Sequence, residues 1–538
     1  MKIKIFLVAL FLLHIGLSVF HINYATMWDD EASVVWFAKN YNQHGKILGY
    51  DGEHLFSYRN GQLINNELVY NNPPLDIYYA AFIIRHFGES DFILRFSFAL
   101  LGFVALGLFV WCFRLITEKD KIWFVFSSSI LILSVNYLLI EANTRYYALT
   151  FLFAAISLLA ALKIVEKPEK KYTQKVMLLT LQLSAIYLLF LSHYLAAVCW
   201  WLMCGIILLQ HQQIRISLKD KFTNTVALLY LLLFAIIVHY IISEQVLHRP
   251  DLENEDGMLM KYSKLLQWLF EDLHRLNIIP LWLIPAFIIL LFSNKHLISK
   301  SLSRLIMFLG VFLIAIVALN PQPTSHSLSF DIRYLYVVIP VLYLLMGYFF
   351  KLLYEQVKWG KIISIVLAVI FINSTLLSAI PSDGGPQLLL PNFIKERMNP
   401  FPTAYSEAIH YIHKNFKEKK KILTLPGFHN TVFFRYVPEK IQVTNTLNEK
   451  TDLSKHLIDS LGQQCLYIGN CKPEYVFQFG STETLEDYPF KASDFKFIDT
   501  ILIYAHGVDV SRPELYWHSF GPKKINDTSL EALYIFHD

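Results

Sequence analysis

Apolar residues in this chain come in long runs separated by short polar stretches, and that spacing decides the architecture before any single residue does. A helix rises 1.5 Å per residue, so about 20 apolar residues cross a bilayer core. Runs of this kind lie at 4–21, 92–116, 122–140, 146–164, 175–192, 194–210, 222–242, 277–293, 304–320, 333–351 and 361–380. They predict about eleven transmembrane helices. One further run, 74–87, is short, carries Asp76 and Arg85, and follows Pro73. Whether it crosses fixes the side on which every later loop lies.

Charge settles that question. If 74–87 stays at the surface, the loops 117–121, 163–175, 211–221, 294–303 and 351–361 share one side and hold Lys163, Lys167, Lys170, Lys171, Lys175, Arg215, Lys219, Lys221, Lys295, Lys300, Lys351, Lys358 and Lys361. Loops rich in Lys and Arg stay in the cytoplasm. The acidic run Asp251-Leu252-Glu253-Asn254-Glu255-Asp256 then falls outside. So 74–87 reads as a juxtamembrane helix on the outer surface, opened by Pro73-Pro74. The N-terminus lies inside and the tail beyond 380 outside. The start, Met1-Lys2-Ile3-Lys4 and an apolar run to Phe20, has the charge of a signal peptide but no small-x-small cleavage site, and reads as an uncleaved first helix.

Two polar regions break the greasy pattern. The first outer loop, about 22–91, carries Tyr24, Trp28, Trp36, Phe37, Tyr50, Phe56, Tyr58 and Tyr70, too many aromatics for a disordered connector. The second is the tail, 381–538, set off from the transmembrane module 1–380 by the linker Pro381-Ser382-Asp383-Gly384-Gly385-Pro386. A helical pattern at 403–416 precedes strand-like runs at Lys421–Leu425, Gln464–Ile468, Tyr475–Phe479 and Phe497–Tyr504. Alternation of helix and strand predicts a small extracytoplasmic α/β domain.

Composition adds to this picture. Of 538 residues, 55% are hydrophobic and only 17% charged, against about 25% in a soluble domain. Mean hydropathy is +0.41 and the net charge only +4, with the Lys and Arg clustered between apolar runs. That suits membrane orientation and excludes nucleic acid as a partner. Of the five cysteines, Cys112, Cys199 and Cys204 lie in apolar runs and pack there as small apolar residues. Cys465 and Cys471 sit in the tail, where an oxidising compartment allows a disulfide. Two thiols are too few for zinc.

Candidate chemistry gathers at the outer edge. Asp29-Asp30-Glu31 follows the first span. Structurally, Asp29 or Asp30 would cap the next helix and Glu31 would suit its first turn. Chemically, carboxylates in a partly dry site serve as a general base or metal ligands. Glu141 and Arg145-Tyr146 lie in a tight outer turn, His193 in a very short one, and Arg333-Tyr334 opens a span from outside. Each reads either as an interfacial anchor or as part of a cavity for an anionic substrate, with Arg gripping phosphate.

Four motifs carry a resemblance. Asp30-Glu31, Asn72-Pro73-Pro74-Leu75, Gly88-Glu89-Ser90-Asp91-Phe92-Ile93-Leu94-Arg95-Phe96, and Glu141 through Arg145-Tyr146-Tyr147-Ala148-Leu149 with Arg333-Tyr334-Leu335 resemble the GT-C fold glycosyltransferases. The protein mannosyltransferase and aminoarabinose transferase group is the nearer likeness, over about residues 1–380. It implies an inverting transfer from a polyprenyl-phosphate sugar to a lipid, glycan or protein acceptor on the outer face of a bacterial cytoplasmic (inner) membrane. It makes Asp30 the base for the acceptor hydroxyl, with Glu31 and Asp29 beside it. Glu141, Arg145, Tyr146, His193, Arg333 and Tyr334 would bind donor phosphate and substrate. It implies no definite cofactor. A divalent cation, as in some relatives, would have Asp29, Asp30 and Glu141 as candidate ligands. Asn72 stands where many relatives carry a basic residue, and Ala32-Ser33 where an aromatic or Arg is common, so sugar and acceptor stay open. The alternative is a transporter or flippase of a lipid-linked or anionic substrate, a class marked by inverted repeats and midplane charge.

Overall fold

The computed structural model describes residues 2–56, 68–70, 72–118, 120–166, 171–209, 221–243, 258–281, 283–293, 300–322, 332–378, 386–400, 402–425, 430–443, 473–479, 496–503, 518 and 531–537. Helices dominate. In chain order they are α1 (Lys2–Val19), α2 (Asp29–His44), α3 (Leu75–Phe87), α4 (Asp91–Ile116), α5 (Lys121–Ile132), α6 (Val135–Glu141), α7 (Tyr147–Glu166), α8 (Tyr172–Ser192) and α9 (Tyr194–Leu209). There follow α10 (Lys221–Ser243), α11 (Met258–Arg275), α12 (Leu283–Ser293), α13 (Lys300–Leu319), α14 (Ile339–Gln356), α15 (Gly360–Asn373), α16 (Leu389–Met398), α17 (Ala404–Asn415) and α18 (Asn430–Tyr436).

Two compact units divide the chain. One comprises Met1–Phe20, Phe98–Ala142 and Tyr146–Ile394, the other His21–Ser97, Asn143–Arg145 and Lys395–Asp538. The first outer loop and residues 143–145 thus group with the tail, a division that the linear order of the chain hides.

The first unit is the helical one. Among the described residues six helices are long and apolar enough to cross a membrane, or seven if α5 and α6, bent by 49°, form one broken span. Shorter apolar helices occupy Tyr194–Leu208, Asn224–Ile237 and Gly360–Asn373. About eleven spans were expected; each of those apolar runs overlaps a helix or the bent pair, and six or seven of them reach spanning length among the described residues. An apolar run counts greasy residues but does not see a helix break. The expected helix 122–140 shows why: Ser134 caps α6 by accepting from Tyr137 N at 3.3 Å, which interrupts the run. The expected surface helix is α3, whose 13 residues extend about 20 Å and fall short of a crossing.

Packing within this unit relies on small residues and buried polar bonds. A Cβ on Gly347 of α14 would fall 2.7 Å from Ser127 N of α5, so only glycine lets these backbones approach. Trp123 Nε1 donates to Leu344 O at 2.8 Å across the same pair. Asp120 caps α5 through Ile122 N and Trp123 N and pairs with Lys351 at 2.6 Å.

The second unit carries a five-stranded sheet of order β2-β1-β3-β5-β4, from β1 (Lys420–Leu425), β2 (Ile441–Val443), β3 (Tyr475–Phe479), β4 (Lys496–Ile503) and β5 (Glu531–His537). β1 pairs in parallel with β2 and β3, and β5 runs antiparallel to β3 and β4. Ile422 to Leu425 are all buried, as a strand covered on both faces requires. The expected helix at 403–416 is α17, closed by a capping box of Thr403 and Ser406. The expected strand at 464–468 and the pair Cys465 and Cys471 lie outside the described residues. Cys112, Cys199 and Cys204 are buried free thiols.

Candidate functional site

The acidic stretch opens α2. The helix N-cap is Trp28, which makes no side-chain cap bond, and Asp29, Asp30 and Glu31 form the first turn. The expectation that Asp29 or Asp30 would be the cap is therefore corrected by one position. All three carboxylates still suit the positive end of the helix dipole. Their environments differ sharply, and that difference sorts their roles.

Glu31 is 1% exposed and fully paired. Arg95 of α4 donates to it from Nε at 3.1 Å and from Nη2 at 2.6 Å, a two-pronged grip. Thr144 N adds a third bond at 2.8 Å. The same guanidinium donates to Ala25 O at 2.8 Å and reaches Ile22 O and Thr26 O. Arg95 thus ties the approach to α2 together. Asp29 is also buried, and its carbonyl accepts from Thr431 Oγ1 at 3.0 Å. Asp30 is the open one: its side chain keeps 26% of its surface and forms an ion pair with Arg145. The Arg145 guanidinium lies 5.4 Å above the Trp28 ring, which holds the cation in place.

Around this turn the outer loop folds into a small aromatic core. Tyr70 stacks on Phe37 with ring centres 4.1 Å apart and accepts from Asn72. Burial pushes its hydroxyl well above the ordinary range, and Arg145, Asp30 and Asp76 are the charges that act on it. Asp51 accepts from Trp36 Nε1 at 3.1 Å and from His54 N at 2.6 Å, with His54 Nδ1 at 3.1 Å. Burial pushes Asp51 upward, but the bonds from His54 and Trp36 outweigh it and hold the carboxyl below its usual value.

In the helical unit, the other expected residues fall into two groups. His193 is the single residue between α8 and α9. Its ring meets Tyr146 at 5.0 Å and Tyr334 at 5.5 Å, both edge to face. Tyr334 and Arg333 sit in a 3-10 turn just ahead of α14, and Tyr336 packs on Tyr147 at 5.3 Å. So Tyr146, His193 and Tyr334 are brought together from three distant stretches. Glu141 is placed differently. It ends α6 with no exposed surface, and its Oε1 lies 2.8 Å from His14 Nε2 of α1. Gly102 makes room for it: a Cβ there would fall 2.7 Å from the Glu141 Cβ.

Among the described residues, no group of three or more His, Cys, Asp or Glu side chains is arranged to hold a metal ion. The candidate ligands Asp29, Asp30 and Glu141 do not fit that use. Asp30 is neutralised by Arg145 and Glu141 is buried against His14, so no open cluster of negative charge awaits a cation. Sequence reasoning also missed several residues. Thr431 and Tyr436 adjoin the acidic turn with no local pattern to mark them, and Arg95 and Tyr70 stand in the sequence only within a motif and among the loop aromatics, with no part in the expected site. His14 alone gave a signal, as an ionisable residue inside a greasy helix.

A bundle of apolar helices joined to a mixed sheet, with an acidic turn directly after the first helix, defines an integral membrane protein of the GT-C glycosyltransferase fold. No family model and no curated protein matches the chain. Solved structures do. It is similar to ArnT from Cupriavidus metallidurans in the apo state, with a TM-score of 0.52 at 14% identity over 89% of this chain and 94% of that one. The same ArnT bound to undecaprenyl phosphate gives 0.52 at 12% identity over 99% and 97%.

Proposed function

We propose that this protein is a membrane glycosyltransferase that moves a sugar from a polyprenyl-phosphate donor to a lipid, glycan or protein acceptor, with inversion. One observation carries the reading. Of the three acidic residues that open α2, Asp29 and Glu31 are buried whereas the Asp30 side chain keeps 26% of its surface and pairs with Arg145. Asp30 is the base in this proposal. It takes the acceptor hydroxyl proton as that oxygen attacks the anomeric carbon. The bond from that carbon to the phosphate oxygen breaks, and polyprenyl phosphate leaves.

Arg145 has five N–H donors, so it can hold Asp30 and still offer donors to a phosphate. Its position over Trp28 limits the entropy lost in doing so. Within the helical unit, Tyr146, His193 and Tyr334 form an aromatic cluster suited to the first isoprene units of a lipid donor, and Arg333, next to Tyr334 in the chain, is the cation proposed for its phosphate. ArnT bound to undecaprenyl phosphate is the fold precedent for such a donor. Glu31 and Glu141 take no substrate in this scheme, because each is buried, Glu31 against Arg95 and Glu141 against His14. The lysine-rich loops support an N-terminus inside and the acidic turn outside, in a bacterial inner membrane on this reading.

Transfer of radiolabelled sugar from a polyprenyl-phosphate donor, measured on purified protein in detergent, tests the reading. Asp30→Asn is expected to lower turnover at least a hundredfold with unchanged melting temperature. Near-wild-type turnover by this variant removes Asp30 from the base role. Activity in detergent, where no gradient exists, also separates a transferase from a transporter.

A further inference from the structure

We infer that Thr431 and Tyr436, on the short helix α18 of the tail, are positioning residues that set where Asp30 stands. The inference rests on the reading of Asp30 as the acceptor's base. All the residues concerned belong to one compact unit.

The run from Tyr24 to Asp29 is not held in place by its own neighbours alone. Tyr24 donates to Glu396 Oε1 at 2.8 Å, and Thr26 Oγ1 lies 3.0 Å from Thr403 Oγ1 at the cap of α17. Met27 N donates to the Tyr436 hydroxyl at 2.9 Å, and Asp29 O accepts from Thr431 Oγ1 at 3.0 Å. The tail therefore reaches the chain on both sides of Trp28 and one residue before Asp30. Met27 N and Asp29 O are backbone groups, so these two bonds fix the path of the chain rather than a side chain that could turn away.

The helix that supplies the two bonds is itself clamped. The Tyr436 hydroxyl donates a hydrogen bond to Asp91 Oδ2 at 2.5 Å, and burial beside Asp91 pushes it far above the ordinary range. Arg435 donates to Asp91 Oδ1 at 3.0 Å and to Glu89 O. Phe434 packs on Trp36 at 5.4 Å and on His54 at 4.6 Å, against the face of α2 and the loop that follows it. Within one turn and a half, α18 contacts the approach to α2, its first turn and its middle. A helix of 7 residues has little stability alone. Its presence here follows from these contacts, and its use is to hold the acidic turn.

The geometry fits positioning and nothing more direct. Thr431 is 2% exposed, and its hydroxyl is engaged with the Asp29 carbonyl, so it has no surface to offer a substrate. A base misplaced by about 1 Å can lose a hundredfold in rate, which gives these bonds their weight. A bystander role in stability would move the melting temperature and leave turnover per folded molecule alone.

The test uses the full-length protein in detergent. Thr431→Val keeps the volume and removes the donor, whereas Thr431→Ser keeps the donor. Tyr436→Phe removes the acceptor for Met27. Turnover number and KM for the acceptor, with melting temperature, are measured for each, and for Thr431→Val combined with Asp30→Glu, whose carboxylate is already displaced by one methylene. Thr431→Val and Tyr436→Phe are each expected to lower kcat about tenfold with KM within about twofold, and Thr431→Ser to restore it. In the Asp30→Glu background, Thr431→Val is expected to cost less than about threefold, because residues acting as a unit are not additive. Wild-type kcat in both single variants overturns the inference, and so does a Thr431→Val loss that is equally large in the Asp30→Glu background. Should Tyr436→Phe not fold, the valine and serine pair decides by itself. Full turnover by Asp30→Asn is a separate outcome that strikes the base assignment.

Discussion

Glu31 and Asp30 are adjacent carboxylates with opposite fates. Glu31 is gripped at both oxygens by Arg95 and bonded by Thr144 N, whereas Asp30 meets one arginine at a partly open surface. Removing one partner of a buried ion pair leaves an unpaired charge and costs about 3–5 kcal/mol. Glu31→Gln is therefore expected to lower the melting temperature strongly and the yield of folded protein with it. Asp30→Asn is expected to melt like wild type and fail in turnover. Thermal unfolding beside the transfer assay separates the two. The depressed carboxyl of Asp51 gives a pH dependence. A carboxyl whose folded value lies below its unfolded value stabilises at neutral pH, and that contribution is lost as pH falls through the folded value, below the ordinary 3.8. Asp51→Asn is expected to remove this acid-side loss, read from melting temperatures between about pH 6 and pH 3. At this scale the chain itself was informative about type and poor about assignment. The run Asp29-Asp30-Glu31 forms one helix turn, but which member is buried depends on Arg95 and Thr144, and only folding brings these up.

Elements show where apolar runs mislead. Helix α5 stops at Ile132 and α6 restarts at Val135 because Ser134 offers its hydroxyl as a cap, so a run read as one span is a bent pair. The single residue His193 between α8 and α9 was legible, since two apolar runs met there with almost nothing between them. Tail strands at β1, β3 and β4 and the helix α17 were legible too, from alternation and turn residues. The pairing of β1 with β2 and β3 was not, because parallel register is set by what covers the sheet rather than by any local signal. Close helix approach leaves a mark only as glycine. Gly347→Ala would drive a methyl into the Ser127 backbone between α14 and α5, and Gly102→Ala would press on Glu141. Overpacking of this kind costs about 1–3 kcal/mol. Both variants are expected to melt lower than wild type, Gly347→Ala the more so because its neighbour is backbone and cannot turn aside, and unfolding in detergent checks the order.

For the whole molecule, the fold is that of ArnT at 12–14% identity. The proposed orientation has its own test. In a Cys465→Ser, Cys471→Ser background, Lys414→Cys is expected to react with a membrane-impermeant thiol reagent on intact cells, and Lys171→Cys only after lysis. The reverse pattern would turn the protein over and remove the acidic turn from the outer face. The broad class was legible because apolar runs and the lysine bias are properties of the chain alone. The grouping of residues 21–97 with the tail was not, since nothing in either stretch names the other.

That grouping has a consequence for how the protein is made. The bond from Met27 N to Tyr436 joins positions 409 residues apart, so the acidic turn leaves the ribosome long before its clamp exists. At about 5–20 residues per second, that interval is roughly 20–80 s. Throughout it, the helices enter the bilayer while Asp30 lacks the bonds that seat it. On the proposed reading, a chain cut before α18 lacks the bonds that seat Asp30, so a stretch made late positions one made early.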